Sequence, residues 1–124
     1  MSHEPILIVD DNPINLKLIR LALQVEGYQV QTAIDAEHAI ALLGGFRPDL
    51  ILMDLQLPGM DGLALTRLLK ADAKTRDAII VAVTAYAMVG DKQRAIDAGC
   101  DGYITKPINT RTVAATVAGF IERA

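Results

Sequence analysis

Four apolar runs recur along the chain, and each meets a polar or charged residue at its carboxyl end. Ile6 to Val9 stops at Asp10-Asp11, Leu50 to Met53 stops at Asp54, and Ile79 to Val83 stops at Thr84. The fourth, Tyr103-Ile104-Thr105, is shorter and leads into Lys106-Pro107. A short run that is apolar on both sides of the pleat suits a central parallel strand, covered on both faces. Tyr28 to Ala33 instead places polar residues around Val30, the pattern of an edge strand.

Between these runs the apolar spacing becomes helical. Asn12-Pro13 supplies a cap and a proline at the first helical position. Ile14, Leu18, Leu21, Ala22 and Val25 then predict the inner face of a first helix that Gly27 ends. Asp35 is placed to cap a short second helix through Ala36, Ala39, Ile40 and Leu43, stopped by Gly44-Gly45. Leu57-Pro58-Gly59-Met60-Asp61-Gly62 is turn chemistry, with Asp61 capping the next helix or closing its turn. That helix runs through Leu63, Leu65, Leu68 and Leu69. Met88 to Ala98 can be helical, although Gly90 and Asp91 weaken its start and few large apolar residues anchor it before Gly99. Asn109 caps a last helix whose inner face is Val113, Val117, Phe120 and Ile121.

Five strand signals alternating with five helix signals predict a (βα)5 chain. Right-handed crossovers then give an open α/β sheet, doubly wound, with helices on both faces. A length of 124 residues, 52% of them hydrophobic, suits one domain with a substantial core. One domain over 1–124 is therefore expected, with no output domain. A net charge of −3 with scattered basic residues makes a poor phosphate-backbone binder, so no nucleic-acid partner is expected. Cys100 is the single cysteine, which rules out an internal disulfide and a multi-cysteine zinc site. Met1 to Pro5 lacks a signal-peptide layout, and no apolar stretch approaches the roughly 20 residues of a membrane span. These features predict a soluble cytoplasmic protein without a membrane partner.

In open parallel sheets the functional crevice lies beyond the carboxyl ends of the strands. That rule selects Asp10, Asp11, Asp54, Thr84 and Lys106. An Asp-Asp-Asn-Pro stretch alone can be a cap and turn, and Thr84 or Lys106 alone can be an ordinary strand-end or loop residue. Asp54 is different, because an unpaired carboxylate at the end of a central strand would cost several kcal/mol. It should be paired, metal-bound or catalytic. Three converging anions repel one another unless a cation joins them. A hard ion such as Mg²⁺ suits carboxylates, waters and phosphate oxygens, and Lys106 adds a second positive charge. In such a site a carboxylate can act as nucleophile toward phosphorus, with metal and lysine offsetting charge on the phosphoryl oxygens. Thr84 could donate to that group only once it is present, which is the basis of a switch.

Ile8-Val9-Asp10-Asp11-Asn12, the stretch Leu52 to Gly62, Val83-Thr84-Ala85 and Lys106-Pro107 together resemble the receiver domain of bacterial two-component response regulators. The resemblance spans essentially the whole chain, with motif order and spacing intact. It implies a flavodoxin-like fold with strand order 2-1-3-4-5, and phosphorylation of Asp54 by a histidine kinase or a phosphotransfer protein. It implies Mg²⁺, replaceable by Mn²⁺, held by Asp11, Asp54 and the backbone carbonyl of Gln56, with Asp10 acting through water. Lys106 would pair with the phosphoryl group, and Thr84 with Tyr103 would form a coupled switch. The face of helix four, strand five and helix five would then alter binding of a downstream protein. The Lys106-Pro107 bond is expected to be cis, and the chain to be a monomer. Asp-Asn-Pro-Ile-Asn, and Thr-Ala-Tyr-Ala-Met around Thr84, look most like receivers of hybrid kinases and single-domain cell-cycle regulators. Gln56 and Tyr86 flank the path of a hydrolysing water; a bulky Tyr86 could shield the phosphoryl group and Gln56 could orient a water, two opposed effects that the resemblance does not rank.

Three rivals differ in specific features. A flavodoxin-like cofactor carrier needs a donor-rich loop after the first strand, where this chain has Asp-Asp-Asn-Pro. An aspartate-nucleophile phosphatase acting on metabolites usually has a second acid two residues past the nucleophile, where this chain has Gln56. A relay intermediate or phosphate sink shares the receiver chemistry, so the residues leave it open against a signalling switch. Elsewhere ordinary roles are expected. Cys100 packs as a small apolar residue, and neither His3 nor His38 has a clustered partner.

Overall fold

The computed structural model describes residues 4–85 and 90–123. Its elements run β1 (Pro5–Val9), α1 (Pro13–Val25), β2 (Gln29–Ala33), α2 (Ala36–Leu43), β3 (Leu50–Asp54), α3 (Gly62–Ala71), β4 (Ile79–Thr84), α4 (Asp91–Ala98), β5 (Gly102–Thr105) and α5 (Val113–Arg123). The strands form one parallel sheet in the order β2-β1-β3-β4-β5. The expected doubly wound α/β architecture and strand order are both present.

Alternation along the strands explains the two layers. Leu7, Val9, Ile51, Met53, Ile80 and Ala82 point to one face and pack with residues of α2, α3 and α4. Ile6, Ile8, Leu50, Leu52, Val81 and Val83 point to the other and pack with α1 and α5. A strand with both faces covered has no room for a polar position, which is why these runs are continuously apolar. β1 has β2 on one side and β3 on the other, so the chain reverses its winding direction there. The crevice opens at that reversal, between the carboxyl ends of β1 and β3.

The expected caps form. Asn12 accepts hydrogen bonds from the Ile14 and Asn15 N–H groups at 2.9 and 3.2 Å. Asp35 accepts from His38 N–H at 2.8 Å, and Asp61 from Ala64 N–H at 2.7 Å. At Asn109 the structure differs. Its side chain accepts from Arg111 N–H at 2.9 Å and so closes a turn, and the helix proper begins at Val113. Val113 and Val117 are buried on the inner face, as expected.

The first helix is rotated relative to its sequence-predicted face. Ile14, Leu18, Leu21 and Val25 are exposed, the last at 82%, while Leu16, Ile19 and Leu23 are buried. α1 is apolar on almost every side, so two stripes at helical spacing compete. The Asn12 cap at one end and the Tyr28 N–H bond to the Leu23 carbonyl, at 3.3 Å, hold the rotation that covers the sheet. Smaller departures of the same kind occur at Ile40 and Leu68, which are partly exposed.

α4 buries only Ala95 and Ala98, which matches the weak anchoring expected of it. Its start at Met88 falls outside the described residues. Cys100 is buried, with its sulfur 3.8 Å from the Thr66 hydroxyl, and burial raises its pKa. Lys70 ties the loop between α4 and β5 to the sheet. Its Nζ donates to the Ala78 carbonyl at 2.8 Å and to Asp101 Oδ2 at 2.9 Å. The same carboxylate oxygen accepts from Ile80 N–H at 2.9 Å. Asp101→Ala strips a partner from a backbone donor at the start of β4, so it should destabilise the fold by about 1–3 kcal/mol. Urea unfolding measures this, and a change below about 0.5 kcal/mol would show that water replaces the carboxylate at no cost.

Candidate functional site

Three loops bring the strand-end residues together. Asp10 follows β1, and its N–H bonds the Ala33 carbonyl of β2 at 3.0 Å. Asp54 is the last residue of β3, paired in register with Val83 of β4. Lys106 follows β5, and its N–H donates to the Thr84 carbonyl at 2.7 Å. The expected cis bond at Lys106-Pro107 is present.

Asp10, Asp11 and Asp54 each offer a carboxylate oxygen within 4.8 Å of the others. Asp54 is only 2% exposed and Asp10 is equally buried, while Asp11 faces solvent. The Lys106 ammonium lies between the two buried acids, 2.9 Å from Asp54 Oδ2 and 3.2 Å from Asp10 Oδ2. The other oxygen of each accepts a backbone N–H two residues on: Gln56 for Asp54 at 2.9 Å, and Asn12 for Asp10 at 2.8 Å. Both buried carboxylates are therefore held in one orientation by a short local turn and a shared lysine. A buried carboxylate and ammonium at this distance form a charge-assisted hydrogen bond.

Burial raises the pKa of Asp54, against the Gln56 N–H and Lys106, which lower it. Burial lowers that of Lys106, but its bonds to Asp54 and Asp10 outweigh this and leave it above the ordinary lysine value. Desolvation wins at the acid and pairing wins at the base. The result is an anionic centre with more negative than positive charge, in which Asp54 is the most sheltered carboxylate.

Thr84 is buried at the end of β4, opposite Thr105 in register. Tyr103 lies two residues back on β5, opposite Ala82, half-buried and packed against the cluster shared with α3 and α4. Gln56 is exposed, two residues beyond Asp54. Tyr86 lies outside the described residues.

Two features were not singled out from the sequence. Gly62 is packed so closely on β3 that a Cβ there would sit 2.3 Å from the Asp54 carbonyl oxygen and 2.7 Å from Leu55 Cα. A turn glycine gives no hint of such an approach. Arg94 and Asp91 of α4 share a crevice of about 280 Å³ with Gln56, Asp61 and Thr84. Nothing in the spacing of those five residues places them together.

This geometry can be set beside known proteins. The family model for the response regulator receiver domain matches residues 6–118. The polar-differentiation response regulator DivK of Brucella anthropi is 40% identical over 116 residues, covering 94% of both chains. Among solved structures, a CheY-like receiver domain protein from Methanospirillum hungatei superposes with a TM-score of 0.88 at 32% identity, over 98% of this chain and 96% of that one. The chemotaxis response regulator CheY4 of Vibrio cholerae gives 0.89 at 27% identity, over 96% of this chain and 99% of its own. The chain belongs to the response regulator receiver domain family.

Proposed function

We propose that this receiver domain is a phosphorylation-activated signalling switch in which Asp54 takes a phosphoryl group from a histidine kinase or a phosphotransfer protein. One observation carries the reading: Lys106 bridges two buried carboxylates within a cluster of three, at the point where the sheet reverses its winding. Fold alone would not argue function, but this constellation has a specific chemistry.

An Asp54 carboxylate oxygen attacks the phosphorus of the donor's phosphoimidazole. The P–N bond breaks, the imidazole leaves with its electron pair and takes up a proton, and an acyl phosphate forms on Asp54. The Gln56 N–H, already bonded to Asp54 Oδ1, keeps the carboxylate in one rotamer. Lys106 moves from balancing a carboxylate to balancing phosphoryl oxygens. Thr84 on β4 and Tyr103 on β5, two register positions apart, link the filled site to the face of α4, β5 and α5, where a downstream protein binds.

The donor set also suits Mg²⁺. Asp11, Asp54 and the Gln56 backbone carbonyl would hold it, with Asp10 acting through water, and the exposed Asp11 leaves room for the waters this ion retains. Mn²⁺ could take the same oxygen ligands. When bound, the ion offsets charge on the acyl phosphate and its donor. The chemistry is directed at the protein's own side chain and its own phosphoryl group, so the chain is no enzyme turning over a metabolite.

The thin anchoring of α4 favours a switch over a passive phosphate sink, because elements that move on activation come from the less stable parts of a fold. Intact-mass measurement after incubation with acetyl phosphate tests the chemistry. A single phosphoryl adduct is expected with Mg²⁺, and none after the metal is chelated. An adduct that forms equally without a divalent ion would remove the metal from the mechanism. No adduct under either condition would overturn the role of Asp54.

A further inference from the structure

We propose that Arg94 is a phosphoryl-state-dependent contact: paired with Asp91 in the unmodified protein, it turns to the Asp54 phosphoryl group and covers it against hydrolysis. The inference rests on Asp54 being the phosphoacceptor. Arg94 Nη1 lies 3.2 Å from Asp91 Oδ1, and both line the crevice that also contains Gln56 and Thr84. This crevice adjoins the carboxyl ends of β3 and β4, so it opens on the space that a phosphoryl group on Asp54 would fill.

The charge balance explains why the pair would exchange. Lys106 is already shared between Asp54 and Asp10. Converting a carboxylate to an acyl phosphate adds about one further negative charge near neutral pH. Among the described residues that line the crevice the cation is Arg94, whose side chain is 66% exposed while that of its partner Asp91 is 15% exposed. A pair whose guanidinium stays open to water is weakened by solvent screening, so a denser anion competes for it effectively. Arginine also matches the planar spread of phosphoryl oxygens better than lysine does.

The consequence is a longer phosphoryl lifetime. In hydrolysis a water oxygen attacks phosphorus on the side away from Asp54. The P–O bond to Asp54 breaks, the carboxylate is regained, and orthophosphate leaves with release of one proton to solvent. A guanidinium lying over the outward oxygens obstructs that approach. Because Arg94 stands in the first turn of α4, the same contact draws on the helix that buries only two alanines.

The test follows decay of the acetyl-phosphate adduct by intact mass, after excess donor is removed, for the wild type, Arg94→Ala and Arg94→Lys. Arg94→Ala should lose its phosphoryl group about three- to tenfold faster, with Arg94→Lys in between. Raising salt from about 0.05 to about 0.5 M should speed decay of the wild type toward that of Arg94→Ala, and leave the variant nearly unchanged. Equal decay of wild type and Arg94→Ala would overturn the proposal. So would a salt effect of the same size in both. If Arg94→Ala unfolds early, Arg94→Lys and the salt response of the intact wild type decide in its place. A wild type that takes up no adduct would instead remove the phosphoacceptor reading on which the inference stands.

Discussion

Asp54→Asn should abolish the phosphoryl adduct completely and at the same time make the unmodified, metal-free protein more stable. The first effect follows from chemistry: an amide oxygen is too weak a nucleophile for phosphorus, and Asp10 is committed to Lys106 and the Asn12 N–H. The second follows from charge. Three carboxylates lie within 4.8 Å of one another beside one ammonium, and burial raises the pKa of Asp54 above its ordinary 3.8. The folded state therefore binds a proton at Asp54 more readily than the unfolded chain does. Stability falls as pH rises through the interval between the two pKa values, and the cost is fully present above the higher one. The amide cannot ionise, so Asp54→Asn should be more stable than the wild type at neutral pH and melt at a higher temperature. The gain should vanish in acid, where the carboxyl is protonated in both states. Thermal unfolding of both proteins across pH, without divalent ions, measures it. A variant less stable than the wild type at neutral pH would mean that the Lys106 pair outweighs the desolvation. An adduct that survives in the variant would move the phosphoacceptor elsewhere.

Gly62→Ala should destabilise the protein strongly, because the added methyl meets strand backbone. The added Cβ would stand 2.3 Å from the Asp54 carbonyl oxygen and 2.7 Å from Leu55 Cα, both backbone atoms of the strand that carries the phosphoacceptor. A flexible side chain could swing aside, but here either β3 or the start of α3 must move. Gly62 also donates its N–H to the Leu55 carbonyl at 3.2 Å, and the neighbouring Asp61 cap fixes where α3 begins. The expected cost is about 3 kcal/mol, at the upper end of overpacking in a close-packed interior. Because the displaced backbone holds Asp54 and Gln56, phosphorylation by acetyl phosphate should slow as well. Gly102→Ala makes the contrast. Its Cβ would meet the Phe120 ring edge at 2.4 Å, the far end of a side chain partly buried against its cluster, which yields more readily than a strand backbone. Urea unfolding of the two variants should rank Gly62→Ala well below Gly102→Ala, and equal losses would refute the backbone argument.

Much of the site was legible before any coordinates because of what a parallel sheet demands. Central strands must be apolar throughout, so the first polar residue after each run marks the carboxyl end, where side chains converge. Asp10, Asp54, Thr84 and Lys106 were found that way; the structure joins Asp10, Asp54 and Lys106 by ion pairs, and the Lys106 N–H bonds the Thr84 carbonyl. The caps at Asn12, Asp35 and Asp61 were legible because capping is a local hydrogen bond between neighbours in sequence.

What the sequence by itself determined, then, was the order of elements, the ends of the strands, and which residues stand there, since each depends on local pattern. The tertiary structure alone decided the rotation of α1, where two apolar stripes were equally good helically and only contact with the sheet could choose between them. It alone revealed that Gly62 presses on the Asp54 backbone and that Arg94 faces the crevice from a separate element. Those relations join residues through space without any periodicity to announce them. They depend on how closely two elements approach, a distance set by packing across the whole layer.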